Sequence, residues 1–194
     1  MTPRLNAAIA LLLEGVSRKD LEQRAGRISA TYRDGGTSGG IKSSADALAY
    51  LVTRCPATYA ATRAVFARVI EAMPGFSPSS LLDVGAGPGT AVWAARDAWP
   101  SLGAMTLIEP NAMFRDLAAR LLPEAQVIAG NLGADKPRAD LVTASYVLAE
   151  LPEKAAAGTA RDLWASAAQM LVLVLHQEQK HGVLVGSHRE EAHP

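Results

Sequence analysis

The sequence predicts an α/β fold: a parallel sheet of about five strands preceded by an all-α N-terminal subdomain. Three observations carry that prediction. In the first 75 residues, apolar side chains recur at helical spacing, in blocks broken by Gly, Ser and Pro. From Ser80 onward, short apolar runs alternate with helical stretches, the βαβ pattern that builds a parallel sheet. At the junction, LLDVGAGPGT (81–90) carries an apolar run through three alternate glycines into a helix. The bounds that follow are a helical subdomain over 1–75, a sheet domain over 76–175, and a polar tail over 176–194 that is a candidate for disorder.

Each element has a local reason. Helix one is expected over 3–14, with Leu5, Ala8, Ile9 and Leu12 on one face and Gly15 at its end. Ser17 caps helix two, with Asp20 three residues on in a capping-box arrangement. Its apolar face is Leu21, Ala25, Ile28 and Tyr32. DGGTSGGIKSS, with four glycines and three serines, reads as a flexible loop. Ser43 or Ser44 opens helix three, which Pro56 is expected to end. Helix four carries Tyr59, Phe66, Val69, Ile70 and Met73 and stops before Pro74. Strands are expected at 80–85, 104–109, 125–129, 139–145 and 169–175, with helices at about 90–99, 111–122 and 153–167 between them. The tail island GVLVG offers one short edge strand at most.

Charge and cysteine content narrow the partners. The net charge is zero, but residues 1–75 hold ten Lys/Arg against six acids and the remainder nine against thirteen. A basic helical front on an acidic body suits a polyanion such as RNA, although ordinary solvated helix faces account for so small an excess equally well. The single cysteine, Cys55, permits no internal disulfide and no cysteine-based zinc or iron–sulfur site, and it fits a reducing compartment, the cytoplasm. AAIALLL is too short to span a bilayer, so no membrane role is expected. His176, His181, His188 and His193 all fall in the tail, at spacings that suit no common metal site.

The glycine loop is the strongest local signal. Gly85 turns the chain off the strand, Gly87 leaves backbone open to a ligand, and Gly89 lets the helix start close to the sheet. No lysine follows, which excludes a P-loop, and the spacing is G-x-G-x-G rather than the G-x-G-x-x-G of dinucleotide folds. The acid before the loop, Asp83, can accept from an ammonium group. Glu109 ends the next strand, twenty residues past Gly89, and can accept from two ribose hydroxyls, as a nicotinamide enzyme would also require. A plain strand–helix turn is the bland alternative.

D-x-G-x-G-x-G resembles motif I of the Rossmann-like S-adenosylmethionine-dependent methyltransferases. That resemblance implies a Rossmann-like methyltransferase sheet with S-adenosylmethionine as cofactor and S-adenosylhomocysteine as product. The site then comprises Asp83, Gly85, Ala86, Gly87, Pro88, Gly89 and Glu109, with Pro110 flanking the adenosine. At the carboxyl end of strand three, Asn131 is a candidate for the adenine amine and Leu132 for the ring, with a turn-forming role for Asn131 as the alternative. At the end of strand four, Ser145 and Tyr146 face the position of the methyl donor, with Tyr146 either shaping a substrate mouth or filling core. That place reads SYVLAELP and lacks the Asn/Asp-Pro-Pro-aromatic motif of exocyclic-amine methylation. Glu150 is the only ionisable side chain near it and reads as a helix-start acid, so no catalytic residue is assigned.

Four stretches together, ISATYRDGGTSGG, ALAYLVTRCPATYAATRAVF, SLLDVGAGPGTAVWAARDAWP and ADLVTASYVLAELP, resemble the bacterial members of the methyltransferase-like small-ribosomal-subunit assembly family. The resemblance covers residues 5–174 and implies work around the small ribosomal subunit or its rRNA, with the basic N-terminal helices as the docking face. It departs after LVLV, where the family continues into a further segment with cluster-ligating cysteines. The chain therefore reads as truncated, with the C-terminal strands of the usual seven-stranded sheet missing or reduced, and the cluster is not carried over. A last strand with an open apolar edge would invite a dimer. A non-catalytic binding module and a small-molecule methyltransferase with a helical lid are the other functional classes the residues allow.

Overall fold

The structure, a computed structural model, describes residues 1–33, 38–175 and 183–187. Helix α1 (Pro3–Leu12) opens with Thr2 as cap and Pro3 in its first turn, where a missing N–H costs nothing, and it buries Leu5, Ile9 and Leu12. Helix α2 (Arg18–Arg33) follows Ser17, whose Oγ accepts from the Asp20 N–H at 3.4 Å. The DGGTSGGIKSS segment (34–44) falls partly outside the described residues, and Ser38–Gly40 forms a single 3-10 turn.

Helix α3 (Ser44–Ala72) corrects the expected boundary at Pro56: two predicted helices are one, and Pro56 lies inside it. Leu48, Leu51, Cys55, Tyr59, Thr62, Phe66 and Val69 form one buried stripe at spacings of three and four, uninterrupted across the proline. Pro56 itself is exposed, so water can take the carbonyl bond that its absent N–H leaves open. Continuous burial on the opposite face outweighs that local loss. Ser43 caps the helix, with its Oγ accepting from the Asp46 N–H at 3.1 Å.

The rest alternates as expected: β1 (Ser80–Val84), α4 (Thr90–Ala98), β2 (Ala104–Glu109), α5 (Ala112–Leu121), β3 (Gln126–Ala129), β4 (Ala139–Ser145), α6 (Glu153–Ser166), β5 (Ala167–Val174) and β6 (Val183–Ser187). The strand order is β3-β2-β1-β4-β5-β6, with the first five parallel and β6 antiparallel to β5. The GVLVG island thus supplies the sixth strand, and it covers the edge of β5 that would otherwise lie open.

Strands buried on both faces are expected to be mostly apolar, and the central strands β1, β4 and β5 are, interrupted by few polar residues such as Asp83, Asp140, Thr143 and Gln169. Leu81, Leu107, Leu141, Met170 and Val172 point to one face, where they share a core with α1–α5. Leu82, Val84, Ile108, Val142, Leu171 and Leu173 point to the other, beneath Leu163 of α6. The helical front and the sheet therefore form one continuous interior. Phe66 of α3 meets Trp99, just after α4, at 4.9 Å between ring centres, and Tyr59 donates to Asp97 Oδ2 at 2.5 Å. Phe66 has no exposure, so its truncation to Ala would cost about 3–5 kcal/mol and loosen the front from the sheet.

Candidate functional site

The order β3-β2-β1-β4-β5 reverses direction between β1 and β4, and ligands of open parallel sheets sit at such a switch, beyond the carboxyl ends of the strands. The glycine loop occupies that place. Gly85, Gly87 and Gly89 all adopt positive φ (69°, 54° and 83°), which side chains resist. A Cβ on Gly85 would meet Val147 Cγ2 at 2.6 Å, and one on Gly89 would meet Leu122 Cδ1 at 2.6 Å. One on Gly87 would meet nothing within 4 Å, so backbone faces open space there. The loop is tied to β2 by N–H bonds from Gly85 (2.8 Å) and Ala86 (3.3 Å) to the Ile108 carbonyl.

Two carboxylates face the loop. Glu109 is buried at the end of β2; its Oε2 accepts from the Gly87 N–H and its Oε1 from the Asn111 N–H, both at 2.8 Å. Arg115 Nη1 donates to the Glu109 and Pro110 carbonyls at 3.0 and 2.6 Å and braces that corner. Asp83, 1% exposed, accepts from Thr143 Oγ1 at 2.8 Å through Oδ1, while its Oδ2 has no hydrogen-bond partner. Burial pushes the Asp83 carboxyl up to about 7; the Thr143 bond opposes the rise and the negative charge of Glu109 adds to it. A buried carboxylate oxygen without a partner costs free energy, which marks the place as one shaped for something other than stability.

A cavity joins these groups. Asp83, Gly85, Ala86, Gly87, Pro88, Glu109, Pro110, Ser145 and Tyr146 all line it. Ser145 Oγ is buried there with no hydrogen-bond partner. Tyr146 is the only non-glycine at positive φ among the described residues (66°), and its N–H donates to the Val174 carbonyl at 2.7 Å. A tyrosine held in that region stores about 1–3 kcal/mol, a cost that collects at ligand sites. Asn131 and Leu132 are not in the lining: Asn131 is exposed and its Oδ1 accepts from the Gly133 N–H at 2.9 Å, the turn-forming role. Leu132 packs against the α6-side core instead.

Sequence reasoning missed the opposite wall. Tyr32 of α2 and Tyr50, Arg54, Cys55 and Thr58 of α3 also line the cavity. Arg54 lies over the Tyr32 ring, 5.1 Å from its centre. A cysteine thus reaches the site from outside the sheet domain, but burial pushes the Cys55 thiol up and keeps it protonated, a poor nucleophile. Burial also raises the Tyr146 phenol, while the charge of Arg54 opposes that. The four histidines and the Glu150 side chain lie outside what is described. Among the described residues no group of three His, Cys, Asp or Glu side chains could hold a metal, and no helix is long and apolar enough to cross a membrane.

A six-stranded sheet in this order, with a glycine loop after β1 and an acid closing β2, is a Rossmann-like methyltransferase fold. Solved structures of that fold superpose on it. CalS10, an amino pentose methyltransferase from Micromonospora echinaspora with S-adenosylmethionine bound, is 22% identical, with 80% of this chain and 58% of that one covered at a TM-score of 0.53. A putative S-adenosylmethionine-dependent methyltransferase from Methanococcus maripaludis is 14% identical, with 72% and 67% covered at 0.55. Magnesium protoporphyrin IX methyltransferase from Synechocystis, with S-adenosylhomocysteine bound, is 14% identical, with 77% and 67% covered at 0.54. The family model of the mitochondrial small ribosomal subunit protein Rsm22 matches residues 44–190, and the chain belongs to that family. Human METTL17, a mitochondrial ribosome assembly protein, is 30% identical over 140 residues, 66% of this chain. The chain spans about a third, 31%, of that relative's length.

Proposed function

We propose that this chain is an S-adenosylmethionine-binding methyltransferase homologue that works at the small ribosomal subunit or its rRNA. The observation that carries the reading is the unpartnered, buried Oδ2 of Asp83, which lines one cavity with Glu109 and the open backbone of Gly87. A carboxylate suits the ligand's ammonium group, a second one its ribose hydroxyls, and bare backbone leaves room for the ligand to press close. Gly85, Ala86, Pro88 and Gly89 shape the loop, and Pro110 flanks the adenosine. Ser145 and Tyr146 stand at the mouth where an acceptor would enter. When bound, S-adenosylmethionine supplies an electrophilic methyl group on its sulfonium sulfur. The protein's own contribution is positioning, which suffices when the acceptor is already nucleophilic. The ribosomal half of the reading is supported by membership of the Rsm22 family and by the name of METTL17. The basic helical front is its proposed docking face, in a reducing, cytoplasmic setting.

A second reading, a module that binds the cofactor without transferring its methyl group, is favoured by one observation: Ser145 and Tyr146, which line the cavity from the end of β4, offer no carboxylate or thiol. Transfer of labelled methyl from S-adenosylmethionine to small-subunit particles separates the two. Label in rRNA or a ribosomal protein, lost in the Asp83→Asn variant, supports the enzyme; binding without transfer supports the module.

A further inference from the structure

The cavity draws its two kinds of charge from different parts of the fold. Asp83 and Glu109 come from the sheet, while the only basic side chain in the lining among the described residues is Arg54, from the middle of α3. Its guanidinium stacks on Tyr32 and joins no salt bridge among the described residues. The glycine loop, the usual backbone cradle for an anion, has little left to donate. The N–H groups of Gly85 and Ala86 go to the Ile108 carbonyl, that of Gly87 to Glu109 Oε2, and that of Gly89 to the Ala86 carbonyl; Pro88 has none. An anionic group entering this cavity therefore finds Arg54 as its charged donor.

We propose that Arg54 binds the carboxylate of the cofactor's amino-acid end, so that Asp83 and Arg54 together grip the zwitterion from the sheet and from the helical front. The inference rests on the cofactor reading above and gives the N-terminal helices a part in ligand binding as well as in docking. A planar guanidinium held over the Tyr32 ring loses little freedom when it pairs with a carboxylate in two parallel bonds.

The test pairs a side-chain deletion with a ligand deletion. Affinities of the unaltered chain, Arg54→Gln and Arg54→Lys are measured by titration calorimetry for S-adenosylhomocysteine and for methylthioadenosine, which lacks the amino-acid end. Melting curves confirm that each variant is folded. The expected result is a loss of about tenfold to a hundredfold for S-adenosylhomocysteine in Arg54→Gln, the range of a charge-assisted bond, with methylthioadenosine affinity unchanged. Arg54→Lys should recover part of the loss. Equal losses for both ligands would show that Arg54 only packs the wall, and no loss for either would show that the carboxylate goes elsewhere; both overturn the inference while leaving the cofactor reading intact. Failure of the unaltered chain to bind S-adenosylhomocysteine overturns both.

Discussion

Two aspartates on neighbouring strands, Asp140 and Asp83, have opposite fates. Asp140, at the amino end of β4, is fully used. Its Oδ2 accepts from the Ser79 N–H (2.8 Å), the Ser79 hydroxyl (2.7 Å) and the Ser80 N–H (3.2 Å). Partial burial pushes its carboxyl up, but the Ser79 hydroxyl and backbone bonds, with help from Gln169 and Ser80, overcome that and hold it at about 2. Asp83, at the carboxyl end of β1, has one bond, an idle oxygen and a carboxyl at about 7. The amino end of the sheet is satisfied for stability. The carboxyl end is left unsatisfied, which is where parallel sheets place their ligands.

The contrast makes opposite predictions for the same substitution. Asp83→Asn should remove S-adenosylhomocysteine binding by thirtyfold or more, on the order of 2 kcal/mol, the worth of a hydrogen bond to a charged group. It should also raise stability at pH 7 and above. The folded carboxyl holds its proton to about pH 7, whereas an unfolded one loses it near 3.8. The folded state thus binds the extra proton between those values, and stability falls as pH rises through the window, then levels off. The variant lacks that fall, so its advantage in Tm should grow from pH 4 to pH 7. A variant that melts lower than the unaltered chain at pH 8 would refute the idle-carboxylate account.

Asp140→Asn should do the reverse: a loss of about 1–3 kcal/mol measured by urea unfolding at pH 7, with binding unchanged. Its folded carboxyl is depressed, so its contribution is complete above pH 3.8 and vanishes as pH falls through about 2. Two glycines sharpen the comparison at smaller scale. Gly89→Ala should destabilise by about 2 kcal/mol, because its Cβ runs into Leu122 and Leu107 and its φ is 83°. Gly87→Ala should cost about 1 kcal/mol of conformational strain only, yet weaken binding, because its Cβ enters open space beside the cavity. Equal binding in Gly87→Ala and the unaltered chain would remove the loop from the ligand's path.

The glycine loop was legible because its signals are local: a strand, a tight turn and a helix start follow one another within ten residues. The alternating strands were legible for the same reason, down to the short edge strand in the tail. Tyr32 comes from α2, whose place against the sheet no local signal encodes, whereas Tyr50, Arg54 and Cys55 were hidden by Pro56. Read as a stop, it cuts α3 at the point where the helix passes the cavity, and only the uninterrupted helix, packed along α4 and α5, delivers those side chains. Asn131 fits both an adenine contact and an Asx turn by residue type alone. Its exposure, which the sequence does not encode locally, is compatible with the turn.

The most direct test of the central claim is calorimetric titration of the purified chain with S-adenosylmethionine and S-adenosylhomocysteine, buffered above the value of about 7 to which burial pushes the Asp83 carboxyl. Binding in the micromolar range, about −8 kcal/mol, weakened by about thirtyfold or more in Asp83→Asn and retained in Asp140→Asn, is the predicted result. No heat of binding from a chain that melts cooperatively would contradict it, and the idle oxygen of Asp83 would then need another ligand.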